Sequence, residues 1–403
     1  MGLGQIGRAL HHPNYRLFFG GQSISLLGTW MQRIAMSWLV YRLTNSPFLL
    51  GFVGFAGQLP IFVLTPFAGV LADRWNRHRM IVVTQTLAML QALALALLVL
   101  TGAIKVWHII TLGIFLGFVD SFDIPTRQSF VADMVENKQD LGNAIALNSS
   151  MVNLARLVGP SVAGILIATV GEGMCFLLNA ISYIAVILSL LAMKIKPMKM
   201  ETERAPIFQG LKEGFSYAFH STPIRSILLL IALVSLTGMP YSVLMPIFAR
   251  DILHGNSHTL GFLMRAAGVG ALTGAIYLAA RVNVAGLERW NALAAGIFGG
   301  GLIAFSFSRS IPISLSLMLV TGFGMIVQLA SGNTVLQMLV DENKRGRIMS
   351  LYAMSLRGIV PFGSLLAGSL ASHIGAPRTL MIGGASCILG ALLFTRGLRK
   401  WFN

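Results

Sequence analysis

An all-α membrane protein, with twelve transmembrane helices in two pseudo-symmetric six-helix bundles, is the fold class this sequence predicts, and three observations predict it. The chain has 403 residues, of which 55% are hydrophobic and only 11% charged, and its mean hydropathy is +0.74. Surface-to-volume scaling leaves a soluble chain of that length too little interior to hide so much apolar surface, so most of it faces lipid. Windows of about 20 mostly apolar residues, the length that crosses roughly 30 Å of hydrocarbon, recur twelve times. The two halves also match each other at an offset of a little over two hundred residues, which points to a duplicated six-helix unit.

In order, the spans run over 16–41, 48–72, 79–101, 106–127, 144–170, 174–194, 225–250, 259–281, 290–308, 311–338, 348–372 and 377–396. The first holds Gln22, Trp30, Gln32 and Arg33. Only the charged insert 73–79 separates the second from the third, which otherwise form one apolar run from 48 to 101. The fourth carries Asp120 and Asp123, three apart and so on one helical face, just before Pro125. Gly159-Pro160 interrupts the fifth, which also holds Arg156, and Cys175 lies in the sixth. Tyr241 lies in the seventh and Arg265 in the eighth, which opens on Leu260-Gly261-Phe262 as the second opens on Leu50-Gly51-Phe52. The tenth holds Gln328, Asn333 and Gln337. The eleventh, with Arg357, follows Glu342-Asn343-Lys344 as the fifth follows Glu136-Asn137-Lys138, and the two share Gly159 with Gly363, Ala163 with Ala367, Gly164 with Gly368 and Gly171 with Gly375. Cys387 lies in the twelfth; neither cysteine has a disulfide or metal spacing, and both read as small core residues.

The formal charge of +16 comes from basic residues standing singly or in short clusters between spans, the footprint of cytoplasmic loops rather than of a nucleic-acid surface. With the N-terminus inside, the outer loops hold only Arg42, Lys105, Arg250, Arg309 and Arg378 of 30 basic residues. The positive-inside rule therefore places both termini in the cytoplasm, and a bacterial inner membrane is the expected location. The polar interruption from Lys194 to Pro223 divides a bundle of residues 1–194 from one of residues 224–403. Between them, 195–223 reads as a cytoplasmic linker in which Ile207, Leu211, Phe215 and Phe219 line one face of an amphipathic helix.

Gly69-Val70-Leu71-Ala72-Asp73-Arg74, continued by Arg77 and Arg79, resembles the signature between helices 2 and 3 of the major facilitator superfamily, and the resemblance covers essentially the whole chain. It implies the major facilitator fold, with helices 1, 4, 7 and 10 around a central cavity. It also implies a conformational latch of Gly69, Asp73, Arg74, Arg77 and Arg79. A carboxylate at a helix N-terminus gains from the positive end of the dipole, and losing that contact is how the opposite opening begins. Asn76 and His78 depart from the signature, and the second-half loop AARVNVAGLER keeps Arg281 but no acid. Arg156, Gly159, Pro160, Ala163 and Gly164 resemble the helix-5 motif of the superfamily's antiporters. Proline removes a backbone hydrogen bond and the small residues admit another helix; plain helix packing is the alternative. Segments 37–47, 123–135, 143–150, 175–183 and 345–354 resemble the branch that contains the enterobactin exporter and drug-type efflux proteins. The arginine usual in helix 4 is missing from FLGFVDSFDIP.

Charges inside spans cost free energy in hydrocarbon, so each is expected to face a cavity or a partner. Asp120 is the proton-coupling candidate, because its charge depends on which partner each conformation offers; Asp123 is the second, or an interfacial residue paired with Arg127. A fixed ion pair bridging helices is the alternative for both. Arg33, Gln22, Trp30, Gln32, Tyr241, Gln328, Asn333 and Arg357 are candidates for a substrate cavity. Arginines 33, 156, 265 and 357 against two inner acids make that region electropositive, suited to an anionic or catechol-bearing amphiphile. Arg156 and Arg357 occupy similar places in the two repeats and also read as matched structural residues bonded to helix carbonyls, an alternative that extends to Arg265. His254 and His258 lack a third ligand, so no metal is expected. Neither a phosphate-cradling GxxxxGK loop nor a nucleophile elbow is present, so direct ATP drive, enzymatic activity and a cofactor are not expected.

The expected function is secondary active export of a small amphipathic molecule, driven by protons through alternating access. The acting unit is a monomer whose partners are substrate, protons and membrane lipid. Two other readings stay open: a flippase for a lysophospholipid or other lipid, and a membrane receptor or scaffold without transport.

Overall fold

Apolar spans fold as helices because a chain in lipid must satisfy its backbone N–H and C=O groups within itself. The computed structural model describes residues 7–135, 137–194, 216–281 and 286–399, with side chains other than those of 66–74, 138, 342, 343, 398 and 399. Its long helices are α1 Pro13–Thr44, α2 Pro47–Arg74, α3 Arg77–Leu100, α4 Val106–Asp133, α5 Leu141–Val170 and α6 Glu172–Leu191. They continue with α7 Thr222–Ile252, α8 Ser257–Ala279, α9 Leu287–Phe307, α10 Ile311–Leu339, α11 Lys344–Ile374 and α12 Ala376–Arg399. Among the described residues, eleven helices are long and apolar enough to cross a membrane. The remaining one, α1, is 32 residues long, but Gln22, Gln32 and Arg33 dilute its apolar run. Each predicted span falls on one helix.

The chain divides into two compact units, Met1–Leu43 with Ala56–Glu203, and Thr44–Phe55 with Arg204–Asn403. In the first, α3 packs against α4 and α6 around a core that includes Phe18, Ile81, Ala88, Phe130 and Tyr183. In the second, α10 packs against α8 and α9, and α9 against α12. The opening of α2 groups with this second unit, where a Cβ on Gly51 would stand 2.8 Å from the Cα of Gly368 on α11, and Phe55 meets Phe362 edge-on at 5.7 Å.

The duplication is visible in the backbone. Gly171 ends α5 at φ +86° and Gly375 ends α11 at φ +85°, a conformation that an L side chain strains to adopt. Gly159 of α5 lies against Trp30 and the Leu27 carbonyl of α1, while Gly363 of α11 lies against Pro240 and the Leu236 carbonyl of α7. The second unit adds π-helical turns at Val234–Gly238 and Met354–Gly358, each two or three residues before a proline, Pro240 and Pro361. Proline has no N–H for the carbonyl four residues back, and the wider turn accommodates the interrupted ladder.

The linker positions Ile207, Leu211 and Phe215 lie outside the described residues. Phe219 lies in the helical stretch 216–220 and is exposed. There the Tyr217 hydroxyl donates to Asp341 at 3.3 Å, and the Lys344 ammonium sits 4.1 Å from the Tyr217 ring centre.

Candidate transport site

Three helices of the first unit, α1, α4 and α5, assemble the charged groups. Trp30 is half-buried on α1, and Arg33, one turn on, holds its guanidinium 5.0 Å from the centre of the indole. From α5, Arg156 reaches the same ring at 5.8 Å. Both lie within range of cation–π attraction. What brings α5 so near is Gly159, where a Cβ would stand 2.6 Å from that of Trp30. Pro160 follows, buried with Gly159 and Gly164, so the Arg156 carbonyl four residues back receives no helical hydrogen bond from position 160. The helix-5 motif therefore makes a close crossing that presents one arginine to a tryptophan already carrying another.

Asp120 is half-buried on α4. Among the described residues its carboxylate makes no hydrogen bond or ion pair, and Arg33 and Arg127 act on it through space. Asp123 is its opposite: 3% exposed, it accepts from Thr84 Oγ1 and Gln85 Nε2 of α3, each at 2.8 Å, and pairs with Arg127 Nη2 at 3.1 Å. A carboxylate with three partners is a brace between α3 and α4. One acid is committed and the other is not.

Three acids nearer the helix ends are also committed. Glu172 takes Arg42 at 2.7 Å, Asp133 takes Arg77 at 3.1 Å, and Asp140 takes His12 at 3.2 Å and Arg8 at 3.8 Å. By contrast Arg33, Arg156, Arg265 and Arg357 have no carboxylate within 4.0 Å among the described residues. Deep within the spans, and among the described residues, Arg33, Arg156, Arg265 and Arg357 thus have no ion-pair partner, and neither does Asp120.

Of the latch residues, Arg77 is tied to Asp133 and Arg79 is exposed. Gly69, Asp73 and Arg74 belong to α2, and their side chains lie outside the described set. Asn76 and His78, which depart from the superfamily signature, both have local work. The Asn76 side chain caps α3 by accepting from the Arg79 N–H at 3.0 Å. The His78 ring lies 2.7 Å from the Leu190 carbonyl at the end of α6.

Among the expected cavity residues, Gln32 faces into its own bundle, donating to Gln91 at 2.9 Å and accepting from Asn179 at 2.7 Å. Gln22 is buried with Oε1 unpaired, and Gln328 is buried with both amide atoms unpaired. Tyr241 is buried against the edge of Phe298, ring centres 6.1 Å apart. Asn333 is half-buried and bonded to Gln337, while Arg357 is exposed on the π turn of α11. Composition locates a polar residue within a span but not the arc of the helix it occupies, and neighbouring helices decide that arc. For the same reason sequence reasoning missed Thr84, Gln85, Gln91 and Asn179. Their only signal was a polar side chain in an apolar span, which in lipid calls for a partner.

Residues 8–401 match the family described as transmembrane secretion effector, within the major facilitator superfamily. The chain belongs to that family. Among its relatives, the staphyloferrin A transporter of Staphylococcus aureus (strain NCTC 8325 / PS 47) is 27% identical over 94% of this chain and 95% of its own length. The enterobactin exporter EntS of Escherichia coli O1:K1 / APEC is 26% identical, over 95% and 91%. The multidrug efflux pump Tap of Mycolicibacterium fortuitum is 25% identical, over 86% and 87%. Solved structures share the fold: a bacterial homologue of the lysosomal transporter Spinster superposes with a TM-score of 0.77 over 100% of this chain and 98% of that one, at 13% identity. A bacterial homologue of the iron transporter ferroportin gives 0.74 over 98% and 99%, at 18% identity. The protein is thus a multi-pass membrane transporter of the major facilitator superfamily, on the enterobactin-exporter branch, and not an enzyme.

Proposed function

We propose that this transporter exports a small, anionic, amphipathic compound from the cytoplasm by alternating access, exchanging it for protons. One observation carries the reading: the Trp30 indole holds two guanidiniums at 5.0 and 5.8 Å from its centre, Arg33 and Arg156, neither with a carboxylate within 4.0 Å among the described residues, in the unit that holds Asp120, an acid deep in α4 with no hydrogen bond or ion pair there. An aromatic or catechol-bearing anion gains twice there, from charge-assisted hydrogen bonds to the guanidinium forks and from stacking beside the indole. Enterobactin export and multidrug efflux, named for two of the relatives, are both export of small molecules. Asp120 is the carboxyl that releases a proton towards one side and takes one from the other, with Arg33 the partner it shares with the substrate. The bacterial inner membrane, cytoplasmic termini and a monomeric acting unit complete the proposal.

The test uses proteoliposomes of the full chain with an imposed pH gradient, after thermal-shift screening of catecholates, dyes and lysolipids has supplied a ligand. Ligand-dependent proton flux is expected with wild type. Asp120→Asn is expected to abolish gradient-driven accumulation while ligand binding persists. Arg33→Gln and Arg156→Gln should each weaken binding of an anionic ligand roughly tenfold, the value of one charge-assisted contact of about 1.4 kcal/mol. Full coupled transport by Asp120→Asn refutes its role. A ligand that moves only as a change in lipid headgroup accessibility refutes the soluble-substrate reading.

A further inference from the structure

Of Arg33, Arg156, Arg265 and Arg357, only Arg265 belongs neither to the aromatic cluster of the first unit nor to a π turn. It lies in an open groove of about 300 Å³ between α8 and α10, lined by Phe262, Ala266 and Val269 of one helix and Leu315, Ser316 and Leu319 of the other. The two helices are pinched together just beyond it. Gly270 lies against the Leu319 carbonyl and Gly322 against the Ala267 carbonyl, contacts that no residue with a Cβ could make without displacement. On the N-terminal side of that pinch the side chains Phe262, Arg265 and Leu315 stand in place of touching backbones, and the groove opens.

We infer that this groove holds one phospholipid, its phosphate on the Arg265 guanidinium and an acyl chain along Val269 and Leu319. Depth supports the assignment. Arg265 stands eight residues from the start of α8 at Ser257, roughly 12 Å along the helix axis. A helical side chain leans back towards its own N-terminus, and a long arginine extends that lean towards the headgroup layer. Leu315 and Ser316 stand four and five residues from the start of α10 at Ile311, so both helices enter from the same face and the groove runs inward from it. Charge complementarity supplies the rest: Arg265 is exposed and has no carboxylate partner among the described residues, and a bare guanidinium at hydrocarbon depth favours an anion carried into the bilayer by its own chains. Apolar walls flanking a single cation match a phosphodiester with a hydrocarbon tail better than a fully hydrated anion.

The test is native mass spectrometry of the purified full chain with phosphatidylglycerol, against diacylglycerol of the same acyl chains, which lacks the phosphoglycerol head. Retention of one phosphatidylglycerol and no comparable diacylglycerol is expected, with at least a tenfold loss in Arg265→Gln and none in Arg33→Gln. Leu319→Trp, at a position already 40% exposed, fills the groove without adding bulk to the interior and should remove the lipid too, which keeps the idea testable if Arg265→Gln fails to fold. Equal retention by wild type and Arg265→Gln overturns the assignment, as does equal retention of diacylglycerol. So does an Arg265→Gln protein that keeps the lipid but loses the exported ligand, because the groove would then belong to the transport path.

Discussion

Asp120 and Asp123 stand on one face of α4, three residues apart, and their surroundings give them opposite duties. Removing the Asp123 carboxylate takes the acceptor from the Gln85 amide and the partner from the Arg127 guanidinium, while the Thr84 hydroxyl keeps the Ile81 carbonyl at 3.0 Å. Asp123→Ala is therefore expected to lower stability by about 3–5 kcal/mol, the scale for breaking a buried hydrogen-bonded charge pair, read as a fall in the apparent Tm of the detergent-solubilised protein. Asp120→Asn removes no hydrogen bond among the described residues and should change stability by no more than about 0.5 kcal/mol, leaving the Tm nearly unchanged while abolishing coupling. A matched fall in Tm for both variants would show that Asp120 is structural as well. Spacing on the helix was enough to put the two acids together. Which of them found partners depended on α3, whose Thr84 and Gln85 happen to face position 123.

At the scale of the helix, small residues decide how near two spans come. Gly159 sets the α1–α5 crossing on Trp30, and Gly363 the α7–α11 crossing on the Leu236 carbonyl. Because the Trp30 Cβ is the rigid root of its side chain, Gly159→Ala cannot be relieved by a rotamer change. It should destabilise by about 1–3 kcal/mol, as overpacking does, and separate Arg156 from Trp30, weakening ligand binding with it. Gly171→Ala and Gly375→Ala meet no neighbouring atom closer than 3.8 Å, yet each forces an L side chain to φ near +85°. Both are expected to lower the Tm through backbone strain of about 1 kcal/mol or more, with substrate affinity unchanged. Thermal unfolding and binding measured on the same variants separate the two mechanisms. The paired glycines at 159 and 363, and at 171 and 375, were legible as an internal repeat. The π turns of α7 and α11 were not, since a proline in a span announces an interruption without saying whether the ladder bends, widens or breaks.

Across the whole molecule, the distribution of basic residues makes a claim that chemistry can check. The α3–α4 and α7–α8 loops should face the outside and the α4–α5 loop the cytoplasm. Both native cysteines are buried, so introduced thiols report alone. Thr101→Cys and His254→Cys are expected to react with a membrane-impermeant maleimide on intact cells, and Gln139→Cys only after permeabilisation. The reverse pattern would invert the proposed topology.

Twelve spans, their order, the duplication and the superfamily all followed from the linear chain, because hydropathy in lipid is a local property. Every run of about 20 apolar residues must become a helix to bond its own backbone. The roles of the charges did not follow, because a charge in a span is defined by what lies across from it. Asp123 became a brace through Thr84 and Gln85, and Gln32 turned inward to Gln91 and Asn179. Arg33 and Arg156 met at one indole only because a glycine on a distant helix left room for it. Such contacts join residues separated by tens to more than a hundred positions, and helix packing, not composition, selects them.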